Sequence, residues 1–180
     1  LNIDPARVEA ALSRRTRALM PVHSFGRRCD VKKLDEISRN NDVGVIYDSA
    51  HAFSVQDDGG SILRHGDMSV LSFHATKVFN TFEGGAVVCR SPSTKQAIDR
   101  VRNFGIEDET NITTVGLNAK MNECSAALGL LQLAHIDDVI AQRKAIHARY
   151  REELSGLPGI RCLTEPEDQT QNYYSFPILV

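Results

Sequence analysis

The sequence predicts an α/β chain, a mostly parallel sheet flanked by helices. Two observations carry this expectation. Short apolar runs of strand length alternate with segments whose apolar residues recur at helical spacing. Several of those runs are continuous rather than alternating, as strands covered on both faces are. The composition agrees: 180 residues, 42% hydrophobic and 24% charged, suit one globular domain, or one plus an incomplete second.

Each element can be justified in order. "DPARVEAALSRR" opens as a helix, with Asp4 as N-cap and Pro5 at the first helical position. "TRALMPV" (16–22) is a short apolar strand. In "DVKKLDEISRNN", Asp30 caps a helix on which Val31, Leu34 and Ile37 recur at helical spacing. "VGVIY" (43–47), "MSVLSF" (68–73) and "GGAVVC" (84–89) are strands. A helix follows over 92–102, then a long helical region over 121–154, and the closing "NYYSFPILV" reads as a further strand.

Charge and cysteine usage exclude some classes of function. Lys+Arg 21 against Asp+Glu 23 gives a net charge of -2 with no block of like charges, which argues against nucleic acid or an anionic membrane as main partner. The most apolar stretch, 126–134, is far short of a membrane span. No basic-plus-apolar leader opens the sequence. Cys29, Cys89, Cys124 and Cys162 are scattered without a CxxC pair, so the expectation is free thiols in a cytoplasmic protein.

The chemistry-bearing residues follow two strands: Asp48 and His51 after one, Ser72, His74 and Lys77 at or after another. Ligands of open α/β sheets sit beyond the carboxyl ends of strands, so neighbouring strands would bring these groups into one crevice. A lysine amine, a carboxylate and a hydroxyl form the set that pyridoxal phosphate requires. The amine makes the Schiff base, the carboxylate keeps the pyridine nitrogen protonated and the hydroxyl binds phosphate. Lys77, Asp48 and Ser72 would take those roles. By spacing alone, a solvated turn lysine and a strand-end aspartate fit as well. Asp48, His51, His65, Asp67 and His74 are also metal-ligand types, which admits a metal-dependent hydrolase, although their spacing matches no zinc motif. A non-catalytic binding or dimerisation module is the third reading.

"VIYDSAHAF", "GDMSVLSFHATKVFNTFEGGAVV" and "GLNAKMNECSAALGLLQL" together resemble the pyridoxal-phosphate-dependent sugar aminotransferases of the DegT/DnrJ/EryC1/StrS family, and "RTRALMPVHSFGRRCDVKKLDEI" and "RKAIHARYREEL" extend the likeness. The resemblance implies an aspartate-aminotransferase-like (fold type I) large domain over 1–134. Residues 135–180 would be a connecting helix and the start of a small C-terminal α+β domain. It implies that Lys77 carries the cofactor, Asp48 pairs with the pyridine nitrogen, His51 contacts the ring hydroxyl and Ser72 binds the phosphate. Ala50 would pack near the ring face. Asn118 would reach the phosphate from the neighbouring subunit, hence a homodimer with shared active sites. "SFHATKVFNTFEGG" is similar to the wording in enzymes that aminate C4 of a dTDP-4-keto-6-deoxyhexose, with L-glutamate as amino donor. The family also carries a phosphate clamp upstream of the position of Leu1 and most of the small domain beyond Val180. The expectation is therefore a fragment, weak or inactive by itself. Ser54 stands where relatives usually have Gly, in a turn that leads to the unusual loop "QDDGGSILRHG". Gly84 and Gly85 should allow close backbone approach, His74 should be structural, and the leucines of 128–133 should lie in the core or a dimer interface.

Overall fold

A computed structural model describes residues 1–180. Helix α1 (Pro5–Ala11) starts where the Asp4 carboxylate accepts the Ala6 N–H at 3.0 Å and Pro5 supplies a preset φ. Strand β1 (Ala18–Leu19) leads to α2 (Val31–Asn41), capped by Asp30 accepting from the Lys33 N–H at 3.2 Å, with Val31, Leu34 and Ile37 buried. Then come β2 (Gly44–Asp48), a small hairpin of β3 (Gln56–Asp57) and β4 (Gly60–Ser61), and strands β5 (Met68–Ser72) and β6 (Gly85–Cys89). Helix α3 (Pro92–Arg102) is capped by Ser91, and α4 (Glu123–Leu133) by Asn122. After α5 (Ile136–Leu154), β7 (Arg161–Cys162) and β8 (Ile178–Leu179) make a separate antiparallel pair.

The main sheet has the order β1-β2-β5-β6. β1, β2 and β5 are parallel, and β6 closes the edge antiparallel to β5. This is the mostly parallel sheet the sequence implied. The register places Asp48 beside Val70 and Ser72 opposite Gly85, so β2 and β5 end side by side. A Cβ at Gly85 would lie 2.6 Å from the Leu71 carbonyl, and Gly84 has φ 142, so both glycines serve close approach along this edge. Val8, Cys29, Val31, Leu34, Val45 and Tyr47 form the core between α1, α2 and the sheet, and Ala52, Val55 and Ile62 a second cluster near the hairpin.

Four expectations need correction. Run 16–22 pairs regularly only at Ala18–Leu19. Pro21 has no N–H to give a ladder, so it contributes only its carbonyl, which accepts the Asp48 N–H at 2.9 Å. Region 121–154 is two helices meeting at 65°, broken at Ala134 and His135, where His135 takes non-helical dihedrals with no side-chain cap. Of "NYYSFPILV" only Ile178–Leu179 is strand. Of the two places expected for the leucines of 128–133, the core of this chain falls away: Leu130 and Leu131 are 72% and 67% exposed, and Gly129 is the buried residue of α4. No single helix is long and apolar enough to cross a membrane.

Candidate active site

Asp48 closes β2 between two neighbours. Its N–H donates to Pro21, its carbonyl accepts from the His23 N–H at 3.0 Å, and Val70 of β5 lies alongside. Its side chain caps the turn that follows, with Oδ1 accepting the Ala50 N–H at 3.0 Å. Oδ2 is the oxygen left for a ligand. That turn carries His51, whose Nδ1 accepts the Phe25 N–H at 3.3 Å. Burial, reinforced by the charge of Lys77 and opposed by Asp48, holds the His51 imidazole below its ordinary range. A neutral ring with Nδ1 occupied as acceptor carries its proton on Nε2, so His51 offers a hydrogen-bond donor.

On the adjacent strand end, the Ser72 Oγ accepts the His74 N–H at 3.3 Å, leaving its own hydrogen to donate. The chain then turns: the Lys77 N–H donates to the His74 carbonyl at 2.9 Å, and His74 Nδ1 accepts the Thr76 N–H at 3.2 Å. His74 is thus the structural post of the lysine loop. The apolar residues around Lys77 anchor it. Val78 and Phe79 are buried, Phe79 stacks on Phe53 at 4.5 Å and meets Phe73 edge-on at 4.8 Å. Phe53 belongs to the His51 turn, so one aromatic cluster fixes the two strand ends to each other. Lys77 itself is half-buried.

The structure therefore brings Asp48, His51, Ser72 and Lys77 to two adjacent strand ends. Asn118 lies elsewhere, exposed, bridged to Asn103, with its side-chain oxygen accepting from Lys120 Nζ at 2.9 Å. Three further residues that shape this turn escape sequence reasoning. Tyr174 stacks on His51 with centroids 4.2 Å apart and 17° between planes, and its ring lies 5.1 Å from Lys77 Nζ. Asn172, 2% exposed, donates to the carbonyls of His51 and Phe53, both at 2.9 Å. Gly26 (φ 75) allows that approach, since a Cβ there would meet the His51 carbonyl at 2.9 Å and Asn172 Oδ1 at 3.0 Å. The only signal for the first two was the density of polar and aromatic residues in "QNYYSF", which also suits a strand.

Residues 164–174 cross this turn as a strap. Arg27 Nη1 donates to the Thr164 carbonyl at 2.6 Å, the Arg28 N–H to Gln169 Oε1 at 2.6 Å, and the Thr170 N–H to the Gln56 carbonyl at 2.7 Å. Arg28 pairs with Asp168 and, at 3.5 Å, with Asp57. Burial would raise the Asp57 carboxyl, but hydrogen bonds from His65 and Arg64 outweigh it and bring it down to about 2. His65 is thereby spent on Asp57 at 2.9 Å, and Asp67 on the Val45 N–H at 2.8 Å. No group of three or more His, Cys, Asp or Glu side chains is placed to hold a metal ion. The metal reading has no site here.

The family model of the DegT/DnrJ/EryC1/StrS aminotransferase family matches residues 1–180. The chain belongs to that family. It is 52% identical over 174 residues to a dTDP-4-amino-4,6-dideoxy-D-glucose transaminase of Shigella dysenteriae, covering 97% of this chain and 47% of the relative. A protein of the same name from Escherichia coli is 41% identical over 182 residues, covering 99% and 48%. The crystal structure of DesI in the presence of its TDP-sugar product superposes with a TM-score of 0.91 at 37% identity, covering 98% of this chain and 45% of that one. The chain thus spans about half the length of the relatives it matches.

Members of this aminotransferase family depend on pyridoxal phosphate, and the residues here fit that group. Asp48 has one carboxylate oxygen to spare, His51 presents Nε2–H and Ser72 can donate its hydroxyl hydrogen. What faces the Lys77 amine is an aromatic ring rather than a carboxylate.

Proposed function

We propose that this chain forms the cofactor-holding part of an aminotransferase that transfers an amino group from L-glutamate to a nucleotide-linked keto-deoxysugar, a dTDP-4-keto-6-deoxyhexose. The observation that carries the reading is the adjacency of the β2 and β5 ends, which puts Asp48 and His51 beside Ser72 and Lys77. The C4 assignment is supported by the two transaminases named above, both described as acting on a 4-amino-4,6-dideoxy sugar.

Pyridoxal phosphate, when bound, supplies an electron sink beside the reacting nitrogen. The chain's own residues do the rest. Lys77 holds the group through its amine and, once freed, moves a proton at the substrate carbon. Asp48 Oδ2 pairs with the protonated pyridine nitrogen. His51 donates Nε2–H to the ring hydroxyl oxygen, and Ser72 its hydroxyl hydrogen to the phosphate. Asn118, exposed in one chain, reaches the phosphate of a second subunit, which makes the active form a homodimer. Residues 1–134 belong to the large domain in this scheme and 135–180 to the connection with the small one. The free thiols of all four cysteines suit the cytoplasm.

Titration with pyridoxal phosphate tests the reading. The expected result is a yellow protein, colour fixed by borohydride, and one modified peptide containing Lys77. Lys77→Ala should abolish the fixed colour. Fixation on another lysine would overturn it.

A further inference from the structure

Three residues around the site are held in conformations that cost strain. Phe25, Ser54 and Tyr173 are non-glycine residues with φ of 58, 63 and 53, and they come from three separate segments. L-residues in that left-handed region persist only where the surroundings over-determine them, and such residues gather at functional sites. Here each adjoins the same group: Phe25 donates to His51, Ser54 ends its turn and Tyr173 precedes Tyr174. The buried Asn172 completes the arrangement, donating to the carbonyls of His51 and Phe53 while its Oδ1 accepts the Tyr174 N–H at 3.1 Å. The outcome is one tyrosine ring stacked on His51 and facing Lys77 Nζ.

We propose that Tyr174 is a positioning residue of the transamination site, its ring holding the His51 imidazole and the Lys77 amine in one fixed relation. The proposal rests on Lys77 being the cofactor-carrying lysine. His51 is gripped in two directions: the Phe25 N–H fixes Nδ1 in the ring plane, and Tyr174 fixes the face. Its Nε2–H therefore has a set aim. Lys77 has four side-chain torsions to restrain. A carboxylate partner would bind the amine strongly and keep it charged. A ring face attracts the cation weakly and without a competing acceptor, so the amine is kept near its working place and still released for bonding.

The contact is tested without cofactor. Under trace acetylation of the 180-residue chain at one pH, Lys77 should be modified roughly threefold faster in Tyr174→Leu, relative to the exposed Lys32 and Lys144, because a cation–π contact of this kind accounts for about such a factor. Tyr174→Phe should keep the parent rate. An unchanged rate in Tyr174→Leu, or an equal rise in Tyr174→Phe, overturns the role of the ring. Should Tyr174→Leu fail to fold, the parent protein still decides. The Lys77 ε-methylene protons must be shifted upfield by the ring in its NMR spectrum, and ordinary shifts overturn the proposal. With pyridoxal phosphate added, the induced circular dichroism of the bound group should fall at least twofold in Tyr174→Leu and persist in Tyr174→Phe. If the cofactor is fixed somewhere other than Lys77, the functional reading fails while the acetylation ratio still judges Tyr174.

Discussion

The turn after β2 and the segment from Phe104 to Leu133 handle apolar and polar groups in opposite ways. Around the turn, Ala52, Val55 and Ile62 are fully buried, and the polar His23, Ser49 and Asn172 are buried with them. From Phe104 onward, Ile112, Val115, Leu117, Leu130 and Leu131 lie exposed. Apolar patches of that kind mark surfaces that meet something else. One wall of the site is thus completed by the chain itself, through a strap from its far end. The segment that carries Asn118, away from that site, presents bare apolar surface, as the proposed shared active site requires.

The comparison can be broken most directly at Asn172. Asn172→Ala strips a donor from two carbonyls and an acceptor from the Tyr174 N–H. At about 1–3 kcal/mol for each buried group left unpaired, a loss of about 4 kcal/mol is expected from urea unfolding. An effect below about 1 kcal/mol would show that the strap does not hold the turn.

A pH titration of stability should come next in size. Burial, with the charges of His65 and Arg28, pushes the His23 imidazole down to about 4, against the opposing pull of Asp48. The folded value lies below the unfolded one, so this stability is whole above pH 6.5 and is lost as the pH falls towards 4. The shift corresponds to about 3 kcal/mol. His23→Asn should flatten the slope in that window even if it lowers stability throughout. His51, also lowered, leaves a remnant of the slope.

Ser54→Gly relieves a left-handed serine in an exposed position and should stabilise by about 0.5–1 kcal/mol. In the isolated chain, Leu131→Gln on the open side should change stability by less than about 0.5 kcal/mol. A larger loss there would mean that α4 already packs against another copy.

Much of the closed side could be read before any coordinates. Apolar strands ending in polar residues put Asp48, His51, Ser72 and Lys77 at or after two strand ends, because strand length and strand limits are local properties. The caps of α1 and α2 were equally local. Ser54, noted as standing in a glycine position, proved to have a glycine-like φ. What stayed hidden was non-local or unpunctuated. Tyr174 reaches His51 across most of the chain, and no sequence period reports such a meeting. The break between α4 and α5 falls at Ala134 and His135, with no Gly or Pro to announce it. For the α4 leucines the sequence left core and dimer interface both open, because composition cannot say whether a leucine faces its own core or another surface, and their exposure in the single chain removes only the first.

The strap also sets the order in which the site can come into being. Asn172 and the His51 carbonyl are 121 residues apart, a distance a ribosome travels in roughly 6–24 s. During synthesis the strands that carry Asp48 and Lys77 are made well before the ring that covers them and the amide that locks the turn. A nascent chain passes through an interval in which its lysine is uncovered and its turn unlatched, and maturation of the site waits for the docking of residues 164–174.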